Sequence, residues 1–120
     1  MLLGSFYTIV NLNNEGEKLS AVVRFNPNHP IFTGHFPALP VVPGVCQTQM
    51  LNEILNQVSG RQLFMKRAAQ IKFLNLLNPV TTPQIQMDIK LSPEQEGKLK
   101  INADYYWQGI AYFRFKGEFE

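Results

Sequence analysis

Apolar and polar positions divide the chain into strand-like runs on either side of a single helix-like stretch. Phe6-Tyr7-Thr8-Ile9-Val10 and Ala21-Val22-Val23-Arg24-Phe25 concentrate aromatic and β-branched residues, with the turn residues Asn13-Asn14-Glu15-Gly16 between them. That arrangement predicts a hairpin. From about Val45 to Ser59 the period changes. At 100° per residue, Met50, Leu51, Ile54, Leu55 and Val58 fall on one apolar side, while Gln49, Asn52, Glu53 and Asn56 fall opposite. A helix is therefore expected here, with Gly60 as its stop. Gln47 interrupts the apolar side and is expected to be a hydrogen-bonded core or interface amide.

Four more strand-like stretches follow, at roughly 63–74, 84–91, 98–107 and 110–119. Ile85-Gln86-Met87-Asp88-Ile89-Lys90-Leu91 alternates cleanly, as a sheet with one wet face does. Gln108-Gly109 has the length of a two-residue hairpin turn. These four are expected to form a meander, which makes the whole an α+β domain.

Between the opening hairpin and the helix, prolines fall at 27, 30, 37, 40 and 43, five of the chain's eight. Proline lacks a backbone donor and restricts its predecessor, so this stretch is expected to be loop, neither helix nor central strand. It holds both histidines, His29 and His35.

Composition narrows the function classes. The 120 residues are expected to form one domain, residues 1–120, and the 45% apolar share supplies a core. Eleven Lys and Arg against nine Asp and Glu leave a net charge of +2, too little for a nucleic-acid binder that depends on dense phosphate neutralisation. A single cysteine, Cys46, excludes a disulfide framework and a cysteine-based zinc cage. In the first turn of a helix its thiol pKa would be lowered, although a buried packing role is the commoner outcome. No apolar run approaches the ~20 residues that cross a bilayer, and the first residues lack the features of a signal peptide. No membrane insertion and a cytoplasmic location are expected.

The stretch His29-Pro30-Ile31-Phe32-Thr33-Gly34-His35-Phe36-Pro37-Ala38-Leu39-Pro40-Val41-Val42-Pro43-Gly44-Val45 carries the chemistry. A helix start offers free N–H groups and partial positive charge, Gly44 has no side chain to block them, and a neutral imidazole can move a proton. "HPIFTGHFPALPVVPGVCQ", together with the later "AAQIKFLNLLNPVTTPQIQMDIKL", resembles the β-hydroxyacyl-[acyl-carrier-protein] dehydratases of the hot-dog fold superfamily. The likeness spans essentially the whole chain. It implies a hot-dog fold, an antiparallel six-stranded sheet wrapped around one long central helix.

The resemblance also implies roles. His35 would remove the α-proton of a (3R)-3-hydroxyacyl thioester, with its other ring nitrogen held by the Val41 carbonyl. The Gly44 N–H would polarise the thioester carbonyl, which is often the largest catalytic contribution. Phe36, Val41, Pro43 and Val45 would line the substrate. The product would be the trans-2-enoyl thioester, in fatty-acid or related acyl-chain biosynthesis. The substrate would be carried on the phosphopantetheine of an acyl carrier protein or on coenzyme A, with no metal or other cofactor. The site would lie between two subunits, in a homodimer or a heterodimer with a related hot-dog protein.

One position departs from the pattern. Five residues after the glycine, where the family has Asp or Glu, stands Gln49, which can orient a hydroxyl but cannot protonate it. Losing a positioned acid typically costs about 10²–10⁴ in rate. Glu53, four residues on, is the candidate substitute acid, an assignment weighed against an ordinary solvated helix residue. The alternatives are a non-catalytic or heterodimer-dependent acyl-thioester-binding subunit and, less favoured, an acyl thioesterase. His29 is expected to be structural. Lys66, Arg67 and Lys72, with Arg61 close by, form the one basic concentration, either a dock for an acidic carrier protein or an ordinary strand edge. The aromatics Tyr105, Tyr106, Trp107, Tyr112, Phe113 and Phe115 are expected to be mostly core.

Overall fold

The alternating stretches fold into one antiparallel sheet. In the computed structural model, which describes residues 1–34 and 39–120, the strands are β1 (Tyr7–Glu15), β2 (Lys18–Phe25), β3 (Met65–Phe73), β4 (Gln84–Leu91), β5 (Leu99–Trp107) and β6 (Ile110–Phe119). Their order is β1-β2-β4-β5-β6-β3. The opening hairpin is longer than its apolar runs suggest. Its ladder continues through Asn11–Glu15 to the Glu15–Lys18 pair, with a bulge between Ile9 and Asn11.

The expected four-stranded meander is corrected by the structure. β4, β5 and β6 do meander, but β4 also pairs with β2, and β3 lies beyond β6 at the sheet edge. The ten residues between β3 and β4 include Pro79 and Pro83 and are too many for a hairpin turn, so the chain crosses over instead of turning back.

Alternation sets the core face. Leu19, Ala21, Val23 and Phe25 of β2, Ile85, Met87 and Ile89 of β4, and Ile101, Ala103 and Tyr105 of β5 are all buried. In β6 both Tyr112 and Phe113 are buried, because the register slips between Tyr105 and Tyr106 and the bulge turns two consecutive side chains inward. Tyr106 and Trp107 are not fully buried, so the aromatic cluster is core only in part.

The helix seen in the sequence is α2 (Gly44–Ser59); a single turn, α1 (Ile31–Gly34), precedes it. Cys46, Met50, Leu51, Ile54 and Leu55 of α2 belong to the same hydrophobic cluster as the inward-facing strand residues. Gly60 ends α2, its N–H donating to Asn56 O. Asn52 and Asn56 then hold the chain beyond it, through Leu63 O and Leu63 N at 2.8 Å each.

α1 corrects the expectation that the proline stretch holds no helix. Pro30 lies just before it, where a fixed φ and a missing N–H suit a helix start. His29 Nδ1 accepts the Ile31 N–H at 3.1 Å, and Thr33 Oγ1 donates to Pro30 O at 2.7 Å. His29 also meets the ring of Phe6 edge-on. No helix among the described residues is long and apolar enough to cross a membrane.

Candidate active site

The segment entering α2 is fixed from both sides. Val42 N donates to Leu77 O at 2.8 Å, and Val42 O accepts from Gln47 Nε2 at 3.1 Å. Pro43 is extended, and its carbonyl accepts the N–H groups of Cys46 and Gln47. The first helical N–H groups, at Gly44 and Val45, have no intrahelical acceptor by geometry. Val41 and Pro43 are partly buried, whereas Val45 is 74% exposed.

A side chain that sequence reasoning missed stands over this helix start. A Cβ on Gly44 would lie 2.7 Å from Cζ of Phe73. The Phe73 ring packs on Phe113 with centroids 5.4 Å apart, yet remains about half exposed. Leu74 and Leu76 follow it and are also exposed. The Val42–Leu77 hydrogen bond ties the end of this apolar run to the segment entering α2, and the exposed Val45 and the Phe73 ring both lie at the helix start. The available signal was a run of large apolar residues, Phe73-Leu74 and Leu76-Leu77, leaving the end of a strand.

Gln49 lies one turn after Val45 and is exposed. Its Nε2 donates to Glu53 Oε2 at 2.9 Å. Glu53 departs from the wet helix side on which periodicity puts it, for it is only 5% exposed. The opening residues fold across it: Leu2 N reaches Oε2 and Leu3 N reaches Oε1, each at 2.8 Å, and the Tyr7 hydroxyl reaches Oε1 at 3.1 Å. All four partners donate, so each carboxylate oxygen accepts twice. Glu53 is thus a buried anchor behind Gln49 and not a solvated helix residue. Burial, and then the Glu53 carboxylate, push the Tyr7 phenol far above its usual range. Burial first, and the same negative charge second, push the Cys46 thiol up, so desolvation outweighs the helix dipole there. The Tyr105 phenol is also raised by burial, and its hydroxyl donates to Gln47 O at 2.7 Å. Gln47 Oε1 is buried without a hydrogen-bond partner among the described residues.

His35 and Phe36, which the resemblance makes base and lining residue, lie outside the described residues. The structure therefore brings together Val41, Pro43, Gly44, Val45, Gln49 and Glu53 of the expected site. Of the basic residues, Lys66, Arg67 and Lys72 are exposed along β3, while Arg61 pairs with Glu94 at 3.1 Å. Among the described residues, no three His, Cys, Asp or Glu side chains are grouped so as to hold a metal ion.

A six-stranded antiparallel sheet packed on one long helix, in this strand order, defines a hot-dog domain. The family model for ApeI-like dehydratases, described as ApeI dehydratase, matches residues 11–109, and the chain belongs to that family. Among curated relatives, a 3-hydroxyacyl-[acyl-carrier-protein] dehydratase FabZ of Haemophilus influenzae is 29% identical over 89 residues, covering 69% of this chain and 60% of that protein. A FabZ of Oceanobacillus iheyensis is 32% identical over 82 residues, covering 62% and 59%. The matches thus span about 60% of those relatives' length. Among solved structures, the dehydratase heterocomplex ApeI:P of Xenorhabdus doucetiae superposes with a TM-score of 0.72 at 18% identity, covering 92% of this chain and 95% of that one. A conserved Pseudomonas aeruginosa protein, PA5202, gives 0.67 at 9% identity, covering 96% and 87%. At such identities the superpositions speak for the fold alone.

Proposed function

We propose that this domain dehydrates (3R)-3-hydroxyacyl thioesters to trans-2-enoyl thioesters, the acyl group arriving on a carrier protein's phosphopantetheine arm in the cytoplasm. The observation that carries the reading is the exposed face of the first two turns of α2. There Val45 and Gln49 are both exposed on α2, and the half-exposed ring of Phe73 lies over Gly44. A flexible acyl chain with a single hydroxyl suits such a surface.

His35 would take the proton from C2, the C2–H electrons would become the C2=C3 bond, and the C3–O bond would break. The hydroxyl would leave as water with the proton that His35 has just received, so no net acid or base is consumed. The Gly44 N–H would donate to the thioester carbonyl as negative charge develops on its oxygen. Gln49 would hold the hydroxyl in line. No metal or redox group takes part in this reading.

A second hot-dog subunit, identical or related, would complete the site along the edge strand β3. Both faces of that strand are largely exposed, and Ile71 and Phe73 are large apolar side chains left open on it. Lys66, Arg67 and Lys72 on the same strand would face an acidic carrier protein. A second reading, an acyl-thioester-binding subunit whose partner brings the acid, is favoured by one observation: the side chain where the family has its acid is the amide of Gln49.

Mass-spectrometric detection of water loss from short 3-hydroxyacyl carrier-protein thioesters tests the proposal, with wild type run beside His35→Ala. Turnover by the wild type and none by the variant is the expected result. Binding without turnover at every chain length tried would replace the enzyme by the binding subunit.

A further inference from the structure

The hydrogen bond between Gln49 and Glu53 has a direction. A carboxylate accepts and cannot donate, so the amide must turn its NH2 group toward Glu53 Oε2. The opposite rotamer would set the amide oxygen against a carboxylate oxygen 2.9 Å away, an arrangement of two partial negative charges. Glu53 in turn cannot move aside, because Leu2 N, Leu3 N and the Tyr7 hydroxyl hold both of its oxygens. The amide nitrogen is thus committed inward, and Gln49 Oε1 is the end left for a ligand on the exposed side of the helix.

We infer that Glu53 is a positioning residue that fixes Gln49 as a hydrogen-bond acceptor, so that the site selects acyl groups bearing a 3-hydroxyl over those bearing a 3-oxo group. The inference rests on the dehydratase reading for the class of ligand, and it assigns a specificity within that class. A hydroxyl at C3 donates to Gln49 Oε1. A ketone at C3 has only lone pairs to offer and meets another acceptor. One hydrogen bond gained against one pair of opposed acceptors corresponds to a preference of roughly tenfold or more.

The probes are pantetheine amides of (3R)-3-hydroxy and 3-oxo acids of short and medium length, in which nitrogen replaces the thioester sulfur so that binding is measured without turnover. Wild type should bind the hydroxy amide about tenfold tighter than the oxo amide. Gln49→Leu should bring the two affinities together. In Glu53→Ala the released amide is free to rotate and offer its NH2 group. The oxo amide should then bind tighter than to wild type while the hydroxy amide binds more weakly. A purely structural Glu53 would weaken both by the same factor and keep their ratio, which would overturn the inference.

Should Glu53→Ala fail to fold, the side-chain NH2 of Gln49 in isotope-labelled wild type answers by NMR. One of its protons should be shifted and slow to exchange, and should stay so when the hydroxy amide is added; two freely exchanging protons overturn the inference. Equal binding of both amides to wild type overturns the inference alone. Binding of neither, at any length, overturns the dehydratase reading and the inference with it.

Discussion

The ring of Phe73 fills the space that a side chain at position 44 would need, with a Cβ there only 2.7 Å from its Cζ. A side chain at the start of α2 would therefore have to push the half-exposed ring aside even before a ligand approaches. Gly44→Ala should displace the ring and cost about 1–3 kcal/mol in urea unfolding, as overpacking does. In a Phe73→Ala background the same substitution should cost markedly less, and that coupling is read from a double-mutant cycle. Equal costs in both backgrounds would show that the ring does not constrain residue 44.

Removing the Glu53 carboxylate strands several donors at once. Glu53→Leu leaves the Leu2 and Leu3 N–H groups and the Tyr7 hydroxyl without their acceptor. A loss of about 2–4 kcal/mol is expected, less than the sum of the bonds because the backbone groups can reach water. Hydrogen exchange at residues 2–7 should accelerate more than exchange in β4 and β5. Gln49→Ala, which removes one exposed donor, should cost under about 1 kcal/mol.

Alkaline pH should destabilise the fold through three buried acids. The ordinary values are 9.0 for the Cys46 thiol and 10.0 for the Tyr7 and Tyr105 phenols, and the folded protein raises all three. Below about pH 9 both states keep these protons and the groups contribute no pH dependence. Above it the unfolded chain releases protons that the folded chain retains, so unfolding becomes easier as pH rises. The slope approaches about 1.4 kcal/mol per pH unit for each group titrating only when unfolded. Urea unfolding from pH 7 to 11 checks the curve, and Tyr7→Phe should flatten its upper part. A stability that rises with pH over this range would contradict the burial of these groups.

The β5–β6 turn leaves room for improvement. Gln108 has φ 49° and Gly109 φ 80°, so both central residues are left-handed, as a type I′ turn demands. Asparagine tolerates that conformation better than glutamine. Gln108→Asn should raise stability by a few tenths to about 1 kcal/mol, whereas Gly109→Val should lower it by at least about 1 kcal/mol. Thermal unfolding of the two variants decides.

Where a residue's fate depended on its neighbours in sequence, the sequence was a sufficient guide. The alternation of Ile85 to Leu91, the two-residue turn at Gln108-Gly109 and the apolar side of α2 all follow from local period and turn chemistry. The burial of Glu53 did not, because helical periodicity measures only the helix, and the segment that covers Glu53 lies about fifty residues away. The edge position of β3 was equally hidden, since Met65–Phe73 reads as an ordinary strand and pairing partners are not a local property. In the candidate site, Gly44 is legible in the sequence as the residue at the helix start, and Gln49 only through the family resemblance. Phe73 over the helix start and the clasp behind Gln49 are tertiary contacts that no spacing reveals.

That clasp also works as a registration pin for the helix. Rotating α2 or sliding it by one residue in its bed would exchange Glu53 for Asn52 or Ile54 and leave a buried negative charge facing apolar side chains. Removing the partners of a buried charge typically costs about 3–5 kcal/mol, so misaligned packings are penalised far more heavily than exchanges among leucines and methionines would be. A core lined by interchangeable aliphatic side chains can settle in several near-equivalent ways. One carboxylate, matched to donors from the far end of the chain, leaves it a single seating.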